Sequence, residues 1–277
     1  LKAQKPNFWG IHATPSTKLR LFLGMLPFVL LVVSYLVASE LRHLDNPHDK
    51  ILPYFSDMAK SFLRLSFERD LRTGDLILLS DTLASLQRLA IGVIIAALTG
   101  LLIGMNMALF RGMAAVLLPF TTFISIIPPL AILPILFITF GVEELSKVML
   151  IILGIAPAIT RDIFEEVRAT SQEQITKALT LGASQLELVY KVILPQVMPK
   201  LIETVRLSLG SAWLFLIASE AIASSNGLGY RIFLVRRYLA MDVIIPYALW
   251  ITFLGFAIDY GLKCILRWQY PWYQNQK

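Results

Sequence analysis

Long apolar runs alternate with short polar stretches along this chain, and each run is about as long as a helix that crosses a membrane. Such a helix needs roughly 20 mostly apolar residues. The first run is Leu19 to Leu41, with no charge between Arg20 and Glu40. The second extends from Leu83 to Phe110 and holds one charge, Arg88, near its start. Met113 to Phe140 is the third and has none. Ser146 to Thr160 is the fourth, extendable to Val167; Leu201 to Ala223 is the fifth; Val243 to Leu266 is the sixth. The pattern predicts an all-α polytopic membrane protein with about six transmembrane helices. Leu19 to Leu41 exceeds the apolar length of a cleaved leader, so a retained helix is expected there.

Two interruptions change this picture. The third run contains Pro128-Pro129 and then Pro134. Adjacent prolines remove two backbone donors and disfavour helix just before them. Broken backbone at membrane depth is tolerated where it is buried in protein or lines a cavity. The third run is therefore expected to line a pathway or to carry a purely structural kink, with Pro157 a weaker signal of the same kind. In the second run Gly100 and Gly104 form a GxxxG pair, with Gly92 upstream, which suits close helix packing.

Composition agrees with the pattern. Hydrophobic residues make up 56% and charged residues 16% of the 277 positions, with a mean hydropathy of +0.67; soluble domains average about 25% charged. The single cysteine, Cys264, excludes an internal disulfide framework, and His12, His43 and His48 all lie outside the apolar runs. The net charge of +6 is dispersed among helix flanks, which fits a membrane protein better than a nucleic-acid binder.

Lysine and arginine placement predicts orientation. Lys2, Lys5, Lys18 and Arg20 put the tail 1–18 in the cytoplasm, ahead of the first helix at 19–41. An even number of spans returns the tail 267–277 to the same side, where Trp268, Tyr270, Trp272 and Tyr273 form an interfacial belt. The segment 42–80, with an amphipathic helix, and the segment 224–242 then face outward, and 81–266 forms the membrane core. Arg231, Arg236 and Arg237 in the second outward segment break the charge rule. An anion funnel, docking to acids on a partner and snorkelling to headgroups all remain open readings of these arginines.

The cytoplasmic segment 165–200 is the largest polar stretch on that side. It reads as two short helices joined at Gly182, with Ser184 and Glu187 spaced as a capping box. Pro195 is expected to end the second helix, and Pro199 to begin the fifth span. Leu179, Leu181, Leu186 and Val189 form an apolar stripe that needs a partner surface, or a lipid surface to lie on. No Gly-Lys dipeptide occurs anywhere, so no Walker A loop is present. H-E-x-x-H and G-x-S-x-G are absent too. Glu220 and Asp259 are the main candidates for buried acids within the runs, and neither is expected to find an obvious cationic partner along its own helix.

The segment around Gly182 resembles the cytoplasmic coupling loop of binding-protein-dependent ABC transporter permeases. That family's pattern is Glu-Ala-Ala, three residues, Gly, nine residues, then Ile-x-Leu-Pro. Here Thr176-Lys177-Ala178 stands at the triplet and Val192-Ile193-Leu194-Pro195 at the close. Thr176, Lys177 and Val192 depart from the pattern, while the spacing from Ala178 to Pro195 is kept. Leu181-Gly182-Ala183-Ser184, Arg206 to Gly210, Ala218-Ser219-Glu220, Gly227 to Tyr230 and Pro128-Pro129 resemble the nitrate/sulfonate/taurine/bicarbonate group, over about 80–270.

The resemblance implies a fold like that of type I ABC importer permeases and a place in a bacterial plasma membrane. It implies two separate ATPase subunits holding ATP and Mg, an extracytoplasmic solute-binding protein and a second permease copy, a homodimer in preference to a heterodimer. The chain itself would hold no cofactor and no metal, would bind no nucleic acid and would catalyse no reaction. The coupling residues would be Ala178, Leu179, Leu181, Gly182, Ala183, Ser184, Leu186, Val189, Leu194 and Pro195. Pathway candidates are Ser125, Pro128, Pro129, Ser208, Ser211 and Ser219, with Trp213 as a gate, though serines in membrane helices also bond their own backbone. Outer-face docking falls to Arg231, Arg236 and Arg237. The expected cargo is a small anion or sulfonate-like molecule; the competing function is a stand-alone secondary transporter, which calls for intramembrane acids.

Overall fold

Local sequence signals place the helix boundaries. In the computed structural model, residues 16–47, 49–69, 74–222 and 224–274 are described; Lys2, Lys5, His12, His48, Asp70, Arg72, Ala223 and Lys277 lie outside them. Ser16 caps α1 (Thr17–Asp45) by accepting the Leu19 N–H at 3.4 Å. Helix α1 buries only Ser39; Ser39 Oγ donates to the Leu52 carbonyl and Tyr35 Oη to that of Pro53. The expected amphipathic helix is α2 (Phe55–Phe67), which buries Met58, Ser61 and Leu65 at helical spacing. The core then follows as α3 (Ile77–Leu109), α4 (Arg111–Ile126), a 3-10 turn at Pro129–Ile132, α5 (Leu133–Phe140) and α6 (Glu144–Arg168). After these come α7 (Gln172–Thr180), α8 (Gln185–Glu187), a π-helical turn at Leu188–Ile193, α9 (Leu194–Ile222), α10 (Leu228–Arg236), α11 (Met241–Gln269) and α12 (Pro271–Gln274).

Helices α3 and α6 run parallel and nearly touch. Gly92 lies opposite Ile151, Gly100 opposite Ile159 and Gly104 opposite Ile163. A Cβ on Gly100 would come within 2.6 Å of Ile159 Cγ2, so only glycine permits this approach. Helix α9 packs on α6, and Ile151, Ile155, Ile159, Val197, Leu216 and Leu228 form the buried centre.

Helices α1, α3 and α11 and the continuous stretch Gln185–Ile222 are each long and apolar enough to cross a membrane; α4 with the turn and α5 qualifies as a pair bent by 85°. The bend falls at Pro128-Pro129, as the missing donors require. Helix α6, expected as a plain fourth span, fails on composition because it carries Lys147, Arg161, Asp162, Glu165 and Glu166. It is nonetheless the most enclosed helix, with Leu150, Ile151, Ile155, Ile159 and Ile163 at 2% exposure or less.

The expectation that Pro195 ends a helix is corrected. Residues 185–222 form one helix of 38 residues, and Pro195 lies inside it, as does Pro199, expected to begin the fifth span. A proline clashes with the carbonyl four residues earlier. The π-helical turn over Leu188–Ile193 widens the backbone just before Pro195, so the ring is accommodated without a stop.

The close α3–α6 contact predicts that Gly100→Val overpacks the interface and destabilises the fold by about 1–3 kcal/mol. Gly210→Ala, inside α9 at a position with nothing within 4 Å, does not lower stability and raises it by up to about 1 kcal/mol. Thermal unfolding of the detergent-solubilised variants measures both.

Candidate functional site

At one end of the bundle the polar segment between α6 and α9 forms a compact crest. Helix α7 closes in a Schellman arrangement: the Ala183 N–H donates to the Ala178 carbonyl at 3.1 Å and the Gly182 N–H to that of Leu179 at 3.0 Å. Gly182 has φ +87, where a side chain would be strained. Ser184 and Glu187 form the reciprocal capping box: the Glu187 N–H donates to Ser184 Oγ at 3.2 Å, and the Ser184 N–H to Glu187 Oε2 at 3.0 Å. These local bonds hold Leu181 at 88% and Leu186 at 70% exposure, with Leu179 and Tyr190 beside them. Val189 differs from expectation: it is half-buried and packs on the core with Leu194, because the π-helical turn changes which side chains face outward. Pro195 is exposed, and Ala178 and Ala183 are half-buried.

The same end is tied to the C-terminal helix. Tyr273 on α12 donates to Glu203 Oε2 on α9 at 2.7 Å. Burial and then the Glu203 carboxylate push the Tyr273 phenol above its usual pKa. Tyr273 and Trp272 line a cavity of about 350 Å³ with Gln174, Gln196 and Glu166.

The opposite end holds a buried ionic knot. Arg88 on α3 uses all five of its N–H donors. Nη1 reaches Glu220 Oε1 at 2.7 Å and the Asn226 carbonyl at 3.0 Å; Nη2 reaches Glu144 Oε1 at 2.8 Å and Asn226 Oδ1 at 2.6 Å; Nε bonds Glu144 Oε2. Glu220, fully buried, also accepts from Ser85 Oγ at 2.8 Å and from the Gly229 N–H at 2.8 Å. Lys147 bonds Glu144 at 3.0 Å. Asp81 accepts from Arg231 Nε at 2.8 Å and from the Gly227 N–H at 3.0 Å. Three cations (Arg88, Lys147, Arg231) meet three acids (Asp81, Glu144, Glu220), so the knot is neutral.

The expectation that Glu220 and Asp259 lack cationic neighbours is thus corrected. Their partners come from other helices: Arg88 lies 132 positions from Glu220, and Arg206 lies 53 positions from Asp259. The Arg206–Asp259 pair is bidentate at 2.9 and 3.1 Å and ties α9 to α11. Thr204 Oγ1 on α9 donates to Asp162 Oδ2 on α6 at 3.1 Å. A charge inventory across helices would have paired Arg88, alone in its apolar run, with an acid in another.

The α4 break opens onto α6 as a cavity of about 440 Å³. Of the pathway candidates, Ser125 and Pro129 line it, and Pro128 is exposed at the break. Ser208, Ser211, Trp213 and Ser219 lie on α9 and do not line it. Ser125, Ser208 and Ser219 donate to backbone carbonyls of Thr121, Thr204 and Leu216. Trp213 is buried against Gly255 of α11, its Nε1 without a hydrogen bond among the described residues. Sequence reasoning missed Arg161, Asp162 and Glu165, which also line the cavity. Of the docking arginines, Arg231 is held by Asp81, while Arg236, lying 5.0 Å over the Phe233 ring, and Arg237 are exposed.

Comparison with known proteins gives a consistent result. The profile of the family described as binding-protein-dependent transport system inner membrane component matches residues 76–274. The taurine transport system permease protein TauC of Escherichia coli is 34% identical over 190 residues, 69% of each chain. The bicarbonate transport system permease protein CmpB of Synechococcus elongatus is 30% identical over 189 residues, 68% of each chain. Among solved structures, a chain of the inward-facing MetNI methionine ABC transporter superposes with a TM-score of 0.59 at 18% identity, over 69% of this chain and 95% of that one. At that identity the likeness carries the fold alone.

The ionic knot predicts that Arg88→Met destabilises the folded chain by about 3–5 kcal/mol, because the buried Glu220 loses its counter-ion. The double variant Arg88→Met with Glu220→Met loses less than the two single changes together. Thermal unfolding of the three variants gives the coupling energy.

Proposed function

The chain belongs to the family of binding-protein-dependent transport system inner membrane components, and from that premise we propose that it is the permease subunit of an ATP-driven importer. Two copies form one pathway for a small solute, a small anion or sulfonate-like molecule. A binding protein delivers that solute on the outer side. Two ATPase subunits, holding ATP and Mg, dock on the crest around Gly182, which faces the cytoplasm with both termini.

One observation carries this reading. The exposed apolar residues Leu181 and Leu186 sit on, or just before, the first turn of a helix that continues unbroken to Ile222. A protein that grips the crest therefore grips a lever that runs through the membrane core. The lever is fastened to α11 by Arg206–Asp259, to α6 by Thr204–Asp162 and to α3 by Arg88–Glu220. Closure of the ATPase subunits would move α9 and its clamped neighbours as one body. A ligand shifts such an equilibrium only through contacts that differ between two states. Burial of Leu181 and Leu186 offers such contacts, at about 1.5–3 kcal/mol for each fully buried side chain.

A stand-alone secondary transporter needs acids free to exchange protons inside the membrane. Glu220 and Asp259 are each bonded to an arginine, which suits anchoring and not proton exchange. The exposed arginines Arg236 and Arg237 suit electrostatic docking of an acidic face on the binding protein.

Leu181→Asp with Leu186→Asp is expected to weaken capture of the ATPase subunit about a hundredfold or more and to abolish uptake. Co-purification of the ATPase at normal yield, together with normal transport, would overturn the reading. Arg236→Glu with Arg237→Glu is expected to slow binding-protein association about tenfold at low salt and less at high salt, as surface resonance with the reconstituted complex would report.

A further inference from the structure

Helix α2 is divided lengthwise into three sectors. Met58, Ser61 and Leu65 share one side of it and are buried. Asp57, Lys60 and Arg64 share a second, which is charged. Phe55, Ala59, Leu63 and Phe67, spaced by four, share the third. All four are exposed, Leu63 at 56% and Phe67 at 76%. A surface helix of a globular protein has two faces, one for the core and one for water. The third sector is an apolar face left over after the core has been served. Ser66 falls within it and donates its hydroxyl to the Phe62 carbonyl of its own helix at 2.8 Å, so it does not need water there. Charge does not supply a partner for α2 either. Lys60 lies 3.7 Å from Asp57 and Arg64 3.6 Å from Glu68, so the charged side is neutral as a whole.

Position supplies one. Two neighbouring residues fix which way up α2 lies. Ser61 bonds Asp242 in the first turn of α11. The Phe62 ring lies 5.9 Å from that of Trp250, which is about 12 Å further along α11. Helix α2 therefore crosses α11 between these levels, with its Phe62 side turned toward the membrane interior. At 100° per residue Phe55 lies about 20° from Phe62 round the axis, and Lys60 and Arg64 each lie about 160° away. The apolar sector thus faces inward and outward from the bundle, and the charged sector faces water. Depth follows from length. Helix α11 has 29 residues and is about 43 Å long, about 13 Å more than a hydrocarbon core. Phe253 is about 18 Å from its start, so it stands at hydrocarbon depth even with the whole excess placed at that end. Phe55 and Ala59 share a groove of about 370 Å³ with Leu249, Trp250 and Phe253. From that groove the exposed side of α11 continues down the span as Phe256 and Tyr260. The apolar face of α2 is the upper end of a surface that the bilayer covers.

We propose that α2 is an interfacial helix embedded in the leaflet opposite the crest, where phospholipid acyl chains cover Phe55, Ala59, Leu63 and Phe67 and fill the groove between α2 and α11. Lys60 and Arg64 stand at headgroup level. Because each is paired with an acid of its own helix, the contact does not read the sign of the headgroup. This rests on the importer reading only in naming that leaflet the outer one. Ser61–Asp242 fastens α2 to α11, and Trp250 Nε1 donates to Thr82 Oγ1 of α3 at 3.0 Å. The seat of α2 in the leaflet therefore sets the height at which α11 and α3 stand in the membrane.

The test uses the permease with its ATPase subunits in phosphatidylcholine nanodiscs. Cys264→Ser removes the one cysteine, and nitroxide labels are placed through Ala59→Cys, Lys60→Cys, Leu63→Cys, Arg64→Cys and Phe67→Cys. Collisions with dissolved oxygen are expected to exceed those with a water-soluble nickel chelate at 59, 63 and 67, and the order to reverse at 60 and 64. The same pattern is expected when phosphatidylglycerol replaces part of the lipid. A second readout uses phosphatidylcholine brominated on its acyl chains: the fluorescence gained in Leu63→Trp is quenched, and that gained in Lys60→Trp is not. Nickel collisions that dominate at 63 and 67 place the stripe in water and overturn the proposal. Exclusion of both reagents at 63 overturns it too; spin–spin broadening between labels would then assign the stripe to a contact between copies. Nickel collisions lost only on adding the solute-binding protein overturn it in favour of a docking face. A complex that holds its ATPase subunits while the stripe reads as wet overturns the interfacial helix alone. A permease that gives the expected collisions and captures no ATPase subunit overturns the importer reading alone.

Discussion

The Arg88–Glu220 ion pair is the constraint on which the rest of the structure depends. Two charges at that depth are tolerable only when each is fully matched, and Arg88 meets the condition with all five donors engaged. The match recruits residues from far along the chain: Glu144 at the start of α6, Asn226 before α10 and Ser85 one turn earlier on α3. Glu144 and Glu220 thereby fix the rotation of α6 and α9 about their axes relative to α3. With those rotations set, the glycine face of α3 meets the isoleucine face of α6. A buried salt bridge adds little stability over an apolar pair of the same shape. Its contribution here is to register.

Anchoring at one end gives meaning to the geometry at the other. A helix that received force at its crest and was free at its far end would simply rotate in place. Helix α9 cannot, because Glu220 is held by α3 and by the backbone of Gly229. Further in, Arg206–Asp259 and Thr204–Asp162 hold it to α11 and α6. The π-helical turn before Pro195 completes this arrangement. A proline in an ordinary helix interior would have left a hinge between the crest and the rest of α9. The widened turn keeps the two collinear in the chain and lets Val189 and Leu194 pack inward while Leu186 stays outside.

What the sequence made legible was local, and what it concealed was between helices. Pro128-Pro129, the Ser184–Glu187 box and Gly182 act within four or five residues, so their consequences are readable from spacing, and each appears in the structure. Gly100 and Gly104 announced a close contact without naming Ile159 and Ile163 as its other side. The pairing of Glu220 with Arg88 was invisible because it depends on how two helices far apart in the chain rotate toward each other. Arg231 was read as an outward charge for the same reason, since its acid, Asp81, lies 150 positions away. Pro195 misled because a proline rule describes an ordinary helix, and the turn before it is not one.

Helix α6 shows why composition alone is a poor guide to membrane depth. Its residues follow two rules at once, one for each face. Ile151, Ile155, Ile159 and Ile163 recur every four positions against the glycines of α3, where only apolar shape matters. Leu153, Pro157, Arg161 and Glu165 recur every four positions on another face, two residues out of step, and meet the broken α4. Averaged along the helix the two faces give a segment too polar to count as a span; separated by rotation they give an apolar contact and a wall that carries Arg161 and Glu165. At about 100° per residue the two-residue offset places the stripes on opposite sides. A helix so divided belongs between a packed neighbour and a polar space, which is where α6 lies.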